Sequence, residues 1–311
     1  MTDFVSTMQM HSQQAPRYLV DRERQLVADD IGGVDLASVT FSNEGWSSRA
    51  YLYNDGEVVY KFPRSEQVSA DYHREIATLM LLDRVDCPVA TQRFKSHGPN
   101  SSFSYFGLVG TQLSVKLPEL GRDQKRAIGS ALGRFVGYIQ RFELADVPHI
   151  SALQEVAEYT EKYAIAKPVI ASVFSAKDQS TIATFFMEQV PSDAIRLGED
   201  LRLCHGDLGS YNVILDERDA PGVIDFGNVG YYDTSKDFID LGDRDVLEGA
   251  LAAYGSDDAL RQKISVRAIA LQAIDIVYYM AKKDSDGIRH TTDRLRALLI
   301  DKSILYGGSG E

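Results

Sequence analysis

The first third of the chain alternates apolar and polar residues, and its apolar positions are rich in β-branched and aromatic side chains. Alternation of this kind is typical of strands that bury one face. Residues 37–43 and 49–62 both show it. Asn54, Asp55 and Gly56 place turn residues in the middle of the second run. That run is therefore predicted to form a β-hairpin.

A helical repeat follows these strands. Residues 66–84 carry apolar side chains at the spacing of one helix face, namely Tyr72, Ile76, Leu79 and Met80. Beyond this predicted helix, two more short strands are expected over 91–96 and 105–111.

After residue 118 the pattern changes to long helices. One apolar stripe consists of Ile128, Leu132, Phe135, Ile139 and Phe142. Further helices are predicted over 151–165, 176–190, 244–254 and 264–282. A β-rich segment, 201–230, interrupts them. We expect an α+β protein with two lobes: a small N-terminal lobe (1–112) of antiparallel sheet with one main helix, and a larger, mainly helical C-terminal lobe (113–311).

Composition restricts the class of partner. The 311 residues include 33 Lys and Arg against 45 Asp and Glu, a net charge of -12. Binding to nucleic acid needs a basic surface, so we expect no nucleic-acid partner, whereas a cationic partner fits this charge. The two cysteines, Cys87 and Cys204, are too few for a disulfide framework or a zinc cluster.

No segment of the sequence predicts a membrane protein. The N-terminal residues lack the basic and apolar regions of a secretory signal. The apolar run 268–281 is shorter than the ~20 residues of a membrane span and contains Asp275. We expect a cytoplasmic monomer without a membrane partner.

The candidate chemistry lies in the β-rich segment. It contains His205-Gly206-Asp207, then Asn212, then Asp225-Phe226-Gly227. Phosphoryl transfer needs a carboxylate for the acceptor hydroxyl and two oxygen ligands for Mg²⁺, and a loop H-x-D-x-x-x-x-N followed by D-F-G provides them. An apolar hairpin between Asn212 and Asp225 would bring both metal ligands to one point. We expect His205 to orient the loop rather than to accept the proton.

A kinase-type site also needs a cation for the nucleotide phosphates and a carboxylate that holds it. Lys61 ends the predicted strand 58–62, and Glu75 lies fourteen residues later on the predicted helix. A lysine at a strand end is usually solvated, but the downstream motifs favour the functional interpretation. We therefore predict a pair of Lys61 and Glu75 at the nucleotide phosphates.

The loop expected to cover the phosphates, 42–48, has one glycine and matches neither G-x-G-x-x-G nor a Walker A motif. Backbone N–H groups of Trp46, Ser47 and Ser48, helped by the serine hydroxyls, are candidates for binding phosphate oxygens. The alternative is an ordinary hairpin turn.

Together these residues resemble the aminoglycoside phosphotransferase family, which shares the protein-kinase-like fold. The resemblance covers roughly residues 36–300 and rests on 43–64, the helix with Glu75, 106–118, 132–142, 203–217 and 222–241. The pieces VYKFPR and FGLVG…LP look most like the 2″-phosphotransferase branch.

The resemblance implies transfer of the γ-phosphate of ATP or GTP to a hydroxyl of a cationic sugar antibiotic, and hence a role in antibiotic resistance. It implies that Asp207 is the base and that Asn212 and Asp225 bind Mg²⁺. The connector with Leu108 and Gly110 would hold the purine through backbone hydrogen bonds, and Asp237 would support the catalytic loop.

Some positions depart from the family pattern. Ser210-Tyr211 stands where the family often has a proline, the segment after D-F-G lacks its proline at Thr234, and a helix that commonly ends Leu-His ends Ile139-Gln140. These departures leave the drug specificity open. Only twelve residues separate Asp225 from Asp237, too few for the activation segment of a protein kinase, which favours a small-molecule acceptor.

Acidic residues after the D-F-G motif are candidates for the acceptor site. Asp240, Asp245 and Glu248 would attract ammonium groups of an aminoglycoside. Acidic residues at a helix start are also ordinary complements of the helix dipole, so both interpretations stay open.

Three hypotheses follow. The first is a Mg²⁺-dependent aminoglycoside O-phosphotransferase that uses ATP or GTP. The second keeps the chemistry but takes another small cationic or sugar-like metabolite, such as a choline-like amine or a macrolide. The third is a catalytically silent binding module, which the presence of all five motif side chains disfavours.

Overall fold

The computed structural model describes residues 15–43 and 47–300. The chain forms two compact units. The first contains the described residues up to Lys116 together with Tyr211–Asn228, and the second contains Leu117–Ser210 and the described residues from Val229 onward. The boundary predicted at residue 112 stays a prediction, and the hairpin 211–228 belongs by its contacts to the first unit.

A five-stranded antiparallel sheet forms the centre of the first unit, in the order β1-β2-β3-β6-β5. Its strands are β1 (Val39–Ser42), β2 (Ser48–Tyr53), β3 (Val58–Pro63), β5 (Arg93–His97) and β6 (Phe103–Phe106). The predicted turn joins β2 to β3, and Asn54, Asp55 and Gly56 all have positive φ angles. Asn, Asp and Gly are the residues that adopt this conformation at least cost, so the turn follows from the sequence.

Helix α1 (Arg17–Ile31) packs on one face of this sheet. Val27 is buried among Tyr51, Tyr60 and Phe62. Because side chains alternate along a strand, Lys61 points to the opposite face from Tyr60 and Phe62.

Helix α2 (Glu66–Leu82) spans nearly the whole predicted helical repeat. Ser65 caps its N-terminus by accepting from Val68 N–H. The predicted apolar stripe is only partly right, because Met80 is 40% exposed and Glu75 lies on the buried face. The helix thus buries the carboxylate of Glu75 on the same face as Tyr72 and Leu79.

A second, four-stranded sheet completes the first unit, in the order β4-β10-β9-β7. Its strands are β4 (Ala90–Thr91), β7 (Thr111–Gln112), β9 (Val213–Leu215) and β10 (Pro221–Val223). Strands β9 and β10 are the predicted hairpin between the two metal-ligand candidates. A short helix, α3 (Leu113–Lys116), follows β7.

The second unit is mainly helical. Its helices are α4 (Arg122–Ile139), α5 (Ala152–Val173), α6 (Ala176–Thr184), α7 (Val190–Leu197), α8 (Arg244–Tyr254), α9 (Asp258–Lys282) and α10 (Ser285–Ile300). A π-helical turn, Phe185–Gln189, joins α6 to α7. Strands β8 (Leu201–Cys204) and β11 (Gly230–Asp233) form a separate antiparallel pair. The predicted α+β class, with one sheet-based and one helical lobe, is confirmed.

Close packing of α4 against α8 depends on glycines. A Cβ at Gly129 would overlap the carbonyl oxygen of Val246, and one at Gly133 would overlap that of Ala250. Gly249 on α8 makes a comparable approach to Arg126. The two helix backbones therefore meet without intervening side chains at these points.

Helix α9 extends further than the predicted segment 264–282, because Asp257 caps it by accepting from Leu260 N–H. Within the described residues it is the one helix whose length and hydropathy would suffice to cross a membrane. Half of the most apolar stretch of this helix is buried inside the protein, as in the core helix of a globular unit.

Candidate active site

Lys61 and Glu75 form a buried ion pair in the first unit. Strand β3 turns Lys61 toward α2, and Glu75 lies on the helix face that meets the sheet. Lys61 Nζ donates to both carboxylate oxygens of Glu75, at 2.8 and 3.0 Å. Lys61 is 7% exposed and Glu75 is 1% exposed, so water contributes little to their solvation. The predicted pairing of Lys61 with Glu75 is therefore present, and its role at the nucleotide phosphates stays a prediction.

Asp225 joins this pair from the end of the hairpin. Its Oδ1 accepts from Lys61 Nζ at 2.9 Å, and its side chain is about half exposed. Its backbone N–H donates to Oε1 of Gln92 at 2.9 Å. With a φ of 65°, Asp225 adopts a left-handed conformation that is uncommon for a residue other than glycine. These contacts fix Asp225 beside Lys61.

The charges explain the pKa shifts in this group. Burial opposes the charge on Lys61, but the carboxylates of Asp225 and Glu75 outweigh it and raise the pKa of Lys61 well above its ordinary value. Burial raises the pKa of Glu75, although Lys61 lowers it. Two carboxylates thus lie next to the ammonium of Lys61, and a divalent cation at Asp225 would add a further positive charge to this group.

Asn212 lies at the same end of the hairpin as Asp225. Val213 on β9 pairs with Val223 on β10, and Ile224 N–H donates to the carbonyl oxygen of Asn212 at 3.0 Å. The register of the hairpin thus places both metal-ligand candidates next to each other along the strand ends.

An amide oxygen and a carboxylate are hard donors of the kind that Mg²⁺ takes, and Mg²⁺ usually binds one or two protein side chains plus phosphates and water. The residues present fit this ion. No group of three or more His, Cys, Asp or Glu that could hold a metal occurs in 15–43 or 47–300.

Gly227 allows the backbone after Asp225 to lie against the ion pair. A Cβ at this position would be 3.3 Å from Oδ1 of Asp225 and 3.5 Å from Oε2 of Glu75. Phe226, by contrast, is buried. The sequence Asp-Phe-Gly therefore combines a ligand, an anchor in the core and a position where a side chain would crowd the charged groups.

The connector predicted to hold the purine lies between β6 and β7. Gly110 has a φ of 158°, and a Cβ there would overlap the carbonyl oxygen of Leu215 on β9. Leu108 packs against Gly222 on β10. The connector is thus fixed to the hairpin that carries Asn212 and Asp225. Its role toward a purine stays a prediction.

Ser48 is the first residue of strand β2, and Ser47 directly precedes it. Ser48 is buried, and its hydroxyl is 2.8 Å from that of Tyr72 on α2. The hydroxyl of Ser47 is 3.3 Å from that of Ser48. Trp46 and the two residues before it lie outside the described residues, so the phosphate-covering role of this loop stays a prediction.

The predicted catalytic loop belongs to the second unit. Strand β8 ends at Cys204, and the backbone N–H groups of His205 and Gly206 donate to the carboxylate of Asp237 at 2.9 and 2.8 Å. Asp207 N–H donates to Nδ1 of the buried His205 at 3.3 Å. Asp237 thus holds the loop and His205 orients it, the structural roles expected for both.

Asp240 belongs to a group of charged side chains in the same unit. Its carbonyl oxygen accepts from Ser210 N–H at 3.0 Å, which ties it to the catalytic loop. Burial raises the pKa of Asp240 to about 7, with Arg294 lowering it and Asp275 and Asp207 raising it. Burial also raises the pKa of Asp275 to about 6, with the same effects of Arg294 and Asp207. We call Asp207, Asp240, Asp275 and Arg294 the acceptor cluster.

The two other acidic candidates have arginine partners. Asp245 Oδ1 accepts from Arg122 and Arg126 at 3.2 and 3.1 Å, and Glu248 pairs with Arg261 at 2.9 Å. Asp243 caps α8, as the sequence suggested. Contact of Asp245 and Glu248 with a substrate stays a prediction, but a substrate would compete with these arginines.

Three contributors were missed at the level of sequence: Gln92, Asp275 and Arg294. Gln92 is a buried residue between strands β4 and β5 and belongs to no sequence motif. Asp275 was noted only as a charge within the apolar run 268–281. Arg294 lies on α10, 69 residues beyond Asp225 in the sequence. No local pattern marks these side chains, because each acquires its partners only through the tertiary fold.

Residues 38–265 match the sequence profile of the family described as the phosphotransferase enzyme family. A search of curated proteins finds no match. The family match covers the ion pair, the catalytic loop, the hairpin and the first part of α9.

Solved structures show the same fold. The GDP and kanamycin complex of APH(2″)-IIIa superposes with a TM-score of 0.75 and 21% identity, over 89% of this chain and 97% of that one. The gentamicin complex of APH(2″)-IIa has a TM-score of 0.67 and 14% identity, over 94% of this chain and 99% of that one. The macrolide 2′-phosphotransferase MphH from Brachybacterium faecium has a TM-score of 0.57 and 15% identity, over 92% of this chain and 98% of that one. The protein-kinase-like fold implied by the motifs is confirmed.

Proposed function

Because the chain belongs to the phosphotransferase enzyme family, we propose that it moves the γ-phosphate of ATP or GTP to a hydroxyl of an aminoglycoside. The reaction forms a bond between the acceptor oxygen and phosphorus and breaks the bond to the leaving nucleoside diphosphate. The acceptor hydroxyl loses its proton to the carboxylate of Asp207. We also propose a cytoplasmic location, where both nucleotides and Mg²⁺ are available.

The observation that carries this proposal is the group formed by the buried Lys61 and Glu75 with the half-exposed Asp225. A buried lysine held by two carboxylates, within 3.0 Å, is costly to form and gives no advantage to a silent scaffold. In a kinase the same arrangement presents a fixed ammonium to phosphate oxygens. The raised pKa of Lys61 keeps that ammonium charged at every physiological pH.

Each side chain has a defined task in the proposed reaction. Lys61 binds phosphate oxygens of the nucleotide, and Glu75 fixes its orientation. Asn212 and Asp225 would hold Mg²⁺, which when bound supplies charge neutralisation at the phosphates. Asp207 orients the acceptor hydroxyl and takes its proton, an effect worth roughly 10²–10⁴ in rate.

A transfer assay tests the proposal. The purified chain is incubated with γ-labelled ATP or GTP, with and without Mg²⁺, and with a panel of acceptors: kanamycin-, gentamicin- and hygromycin-type aminoglycosides, a macrolide and choline. We expect labelled aminoglycoside only when Mg²⁺ is present. Expression in a susceptible bacterium should raise the inhibitory concentration of the same drugs.

The second candidate function, a kinase of another small cationic metabolite, is distinguished by the same panel. Its chemistry uses the same residues, and the partial neutralisation of the acceptor cluster by Arg294 favours an acceptor with few positive charges. Label on choline or on the macrolide, with none on any aminoglycoside, would replace the first function by the second.

A further inference from the structure

Arg294 lies among carboxylates in the second unit. It projects from α10, and its Nη1 is 4.0 Å from Oδ1 of Asp240. This distance is longer than a hydrogen bond, so the guanidinium acts on Asp240 through charge. The side chains are 37% and 28% exposed, respectively, and a ligand from solvent can therefore reach both.

Arg294 acts on a second carboxylate, that of Asp275 on α9. Despite the guanidinium, both Asp240 and Asp275 keep pKa values well above the ordinary carboxyl range. Burial is the largest cause, and the negative charge of Asp207 adds to it in both cases. Among the described residues, Arg294 is the cation whose charge lowers both pKa values. The carboxylates therefore still attract a further positive charge, but less strongly than they would without Arg294.

An aromatic pair lies next to this cluster. The pKa of Tyr279 is raised by burial and by the charges of Asp275 and Asp240, among others, so its ring lies near these carboxylates. Its centroid is 5.1 Å from that of Tyr278, and its ring packs over Gly287 of α10, where any side chain would collide with it. Gly287 thereby lets α10 approach α9 closely enough for Arg294 to reach the cluster.

We propose that Arg294 is a specificity-determining residue that supplies a fixed positive charge to the acceptor site and limits the number of ammonium groups an acceptor can carry. This inference rests on the proposed function. An ammonium near Asp240 and Asp275 is attracted by the carboxylates but repelled by the guanidinium. Each additional ammonium therefore adds less binding free energy than it would in a purely acidic site. Amino sugars with few amines are consequently preferred over those with many.

The test compares two aminoglycosides that differ by one amino group in place of a hydroxyl. KM and kcat are measured for both acceptors with the wild-type chain and with Arg294→Gln, Arg294→Lys and Arg289→Gln. Arg289 lies on the same helix, is well exposed and pairs with Asp286, so Arg289→Gln is the matched control.

We expect Arg294→Gln to lower KM for the amine-richer acceptor by roughly tenfold relative to the other acceptor, with the change in KM rather than in kcat. Arg294→Lys and Arg289→Gln should keep the wild-type ratio. An unchanged ratio in Arg294→Gln, or a loss of both acceptors, would overturn the inference.

Calorimetric binding of the same two acceptors separates this inference from the proposed function. If no variant transfers phosphate but Arg294→Gln still shifts the ratio of the two dissociation constants, the proposed chemistry is wrong and the role of Arg294 stands. If transfer occurs and neither ratio responds to residue 294, the proposed function stands and the role of Arg294 is wrong. Absence of binding by every variant would overturn the inference as well.

Discussion

Replacing Lys61 by methionine removes the ammonium that bridges Glu75 and Asp225 while it keeps most of the apolar volume of the side chain. In the wild type this ammonium lies 2.8 to 3.0 Å from three carboxylate oxygens. At an effective dielectric constant of about 20, each such charge pair is worth about 6 kcal/mol before the cost of desolvation. The variant leaves Glu75 buried and without its cation.

Breaking a buried pair in this way costs about 3–5 kcal/mol. We therefore expect Lys61→Met to lower the free energy of unfolding by that amount at pH 8, measured by urea denaturation. Lys116→Met is the control, since Lys116 pairs with Asp219 at 3.0 Å in a more exposed position. Pairs near the surface are worth about 0–1 kcal/mol, so the control should change stability by less than about 1 kcal/mol.

The cost of Lys61→Met should depend on pH in a defined direction. Without Lys61, burial holds the folded pKa of Glu75 even further above its unfolded value, which is about 4.3. The penalty is therefore complete above the folded pKa and is relieved as the pH falls toward the unfolded value, where Glu75 is protonated in both states. The double variant Lys61→Met/Glu75→Gln should recover most of the stability at pH 8 but not nucleotide binding.

Two results would refute this reasoning. A loss of less than about 1 kcal/mol in Lys61→Met would mean that Glu75 is solvated rather than buried. Full nucleotide affinity in the refolded double variant, measured by calorimetry, would mean that Lys61 does not bind the phosphates.

Three further predictions concern packing, proton linkage and metal binding. Gly133→Val should lower the melting temperature by several degrees because the new side chain would collide with Ala250. Gly137→Ala is the control and should be neutral or slightly stabilising, because its Cβ would lie 3.6 Å from the ring of Tyr254; equal melting temperatures of the two variants would contradict the packing of α4 against α8. Asp240 has a folded pKa of about 7, above its ordinary value, so its contribution to stability falls as the pH rises from about 4 to 7. Asp240→Asn should therefore flatten the curve of unfolding free energy against pH in this range, and an unchanged slope would show that Asp240 does not have a raised pKa. Removal of Mg²⁺ by chelation should weaken nucleotide binding in the wild type but hardly at all in Asp225→Asn, and an equal effect on both would show that the ion does not use Asp225.

The sequence predicted those parts of the site that depend on local periodicity. The sequence placed Lys61 at the end of a predicted strand and Glu75 on the helix that follows, and the structure brings their side chains together. Apolar runs on both sides of turn residues predicted the hairpin that joins Asn212 to Asp225. Short-range geometry and motif spacing were sufficient for these residues.

Other features depend on contacts between segments far apart in the chain. Met80 continued the apolar stripe of α2 but is exposed, because the helix turns Glu75 toward Lys61. The acidic residues Asp245 and Glu248 looked available to a cationic ligand, yet arginines of α4 and α9 pair with them. No periodicity encodes such long-range partners.

The most direct measurement is transfer of γ-labelled phosphate to an amino-sugar acceptor, followed in the wild type and in Asp207→Ala together with the nucleotide dissociation constant of each. We predict that the wild type labels the acceptor in the presence of Mg²⁺, and that Asp207→Ala is slower by roughly 10²–10⁴ with nearly unchanged nucleotide affinity. Equal rates in the two proteins, or a parallel loss of nucleotide affinity in Asp207→Ala, would contradict the role of Asp207 as the residue that accepts the acceptor's proton.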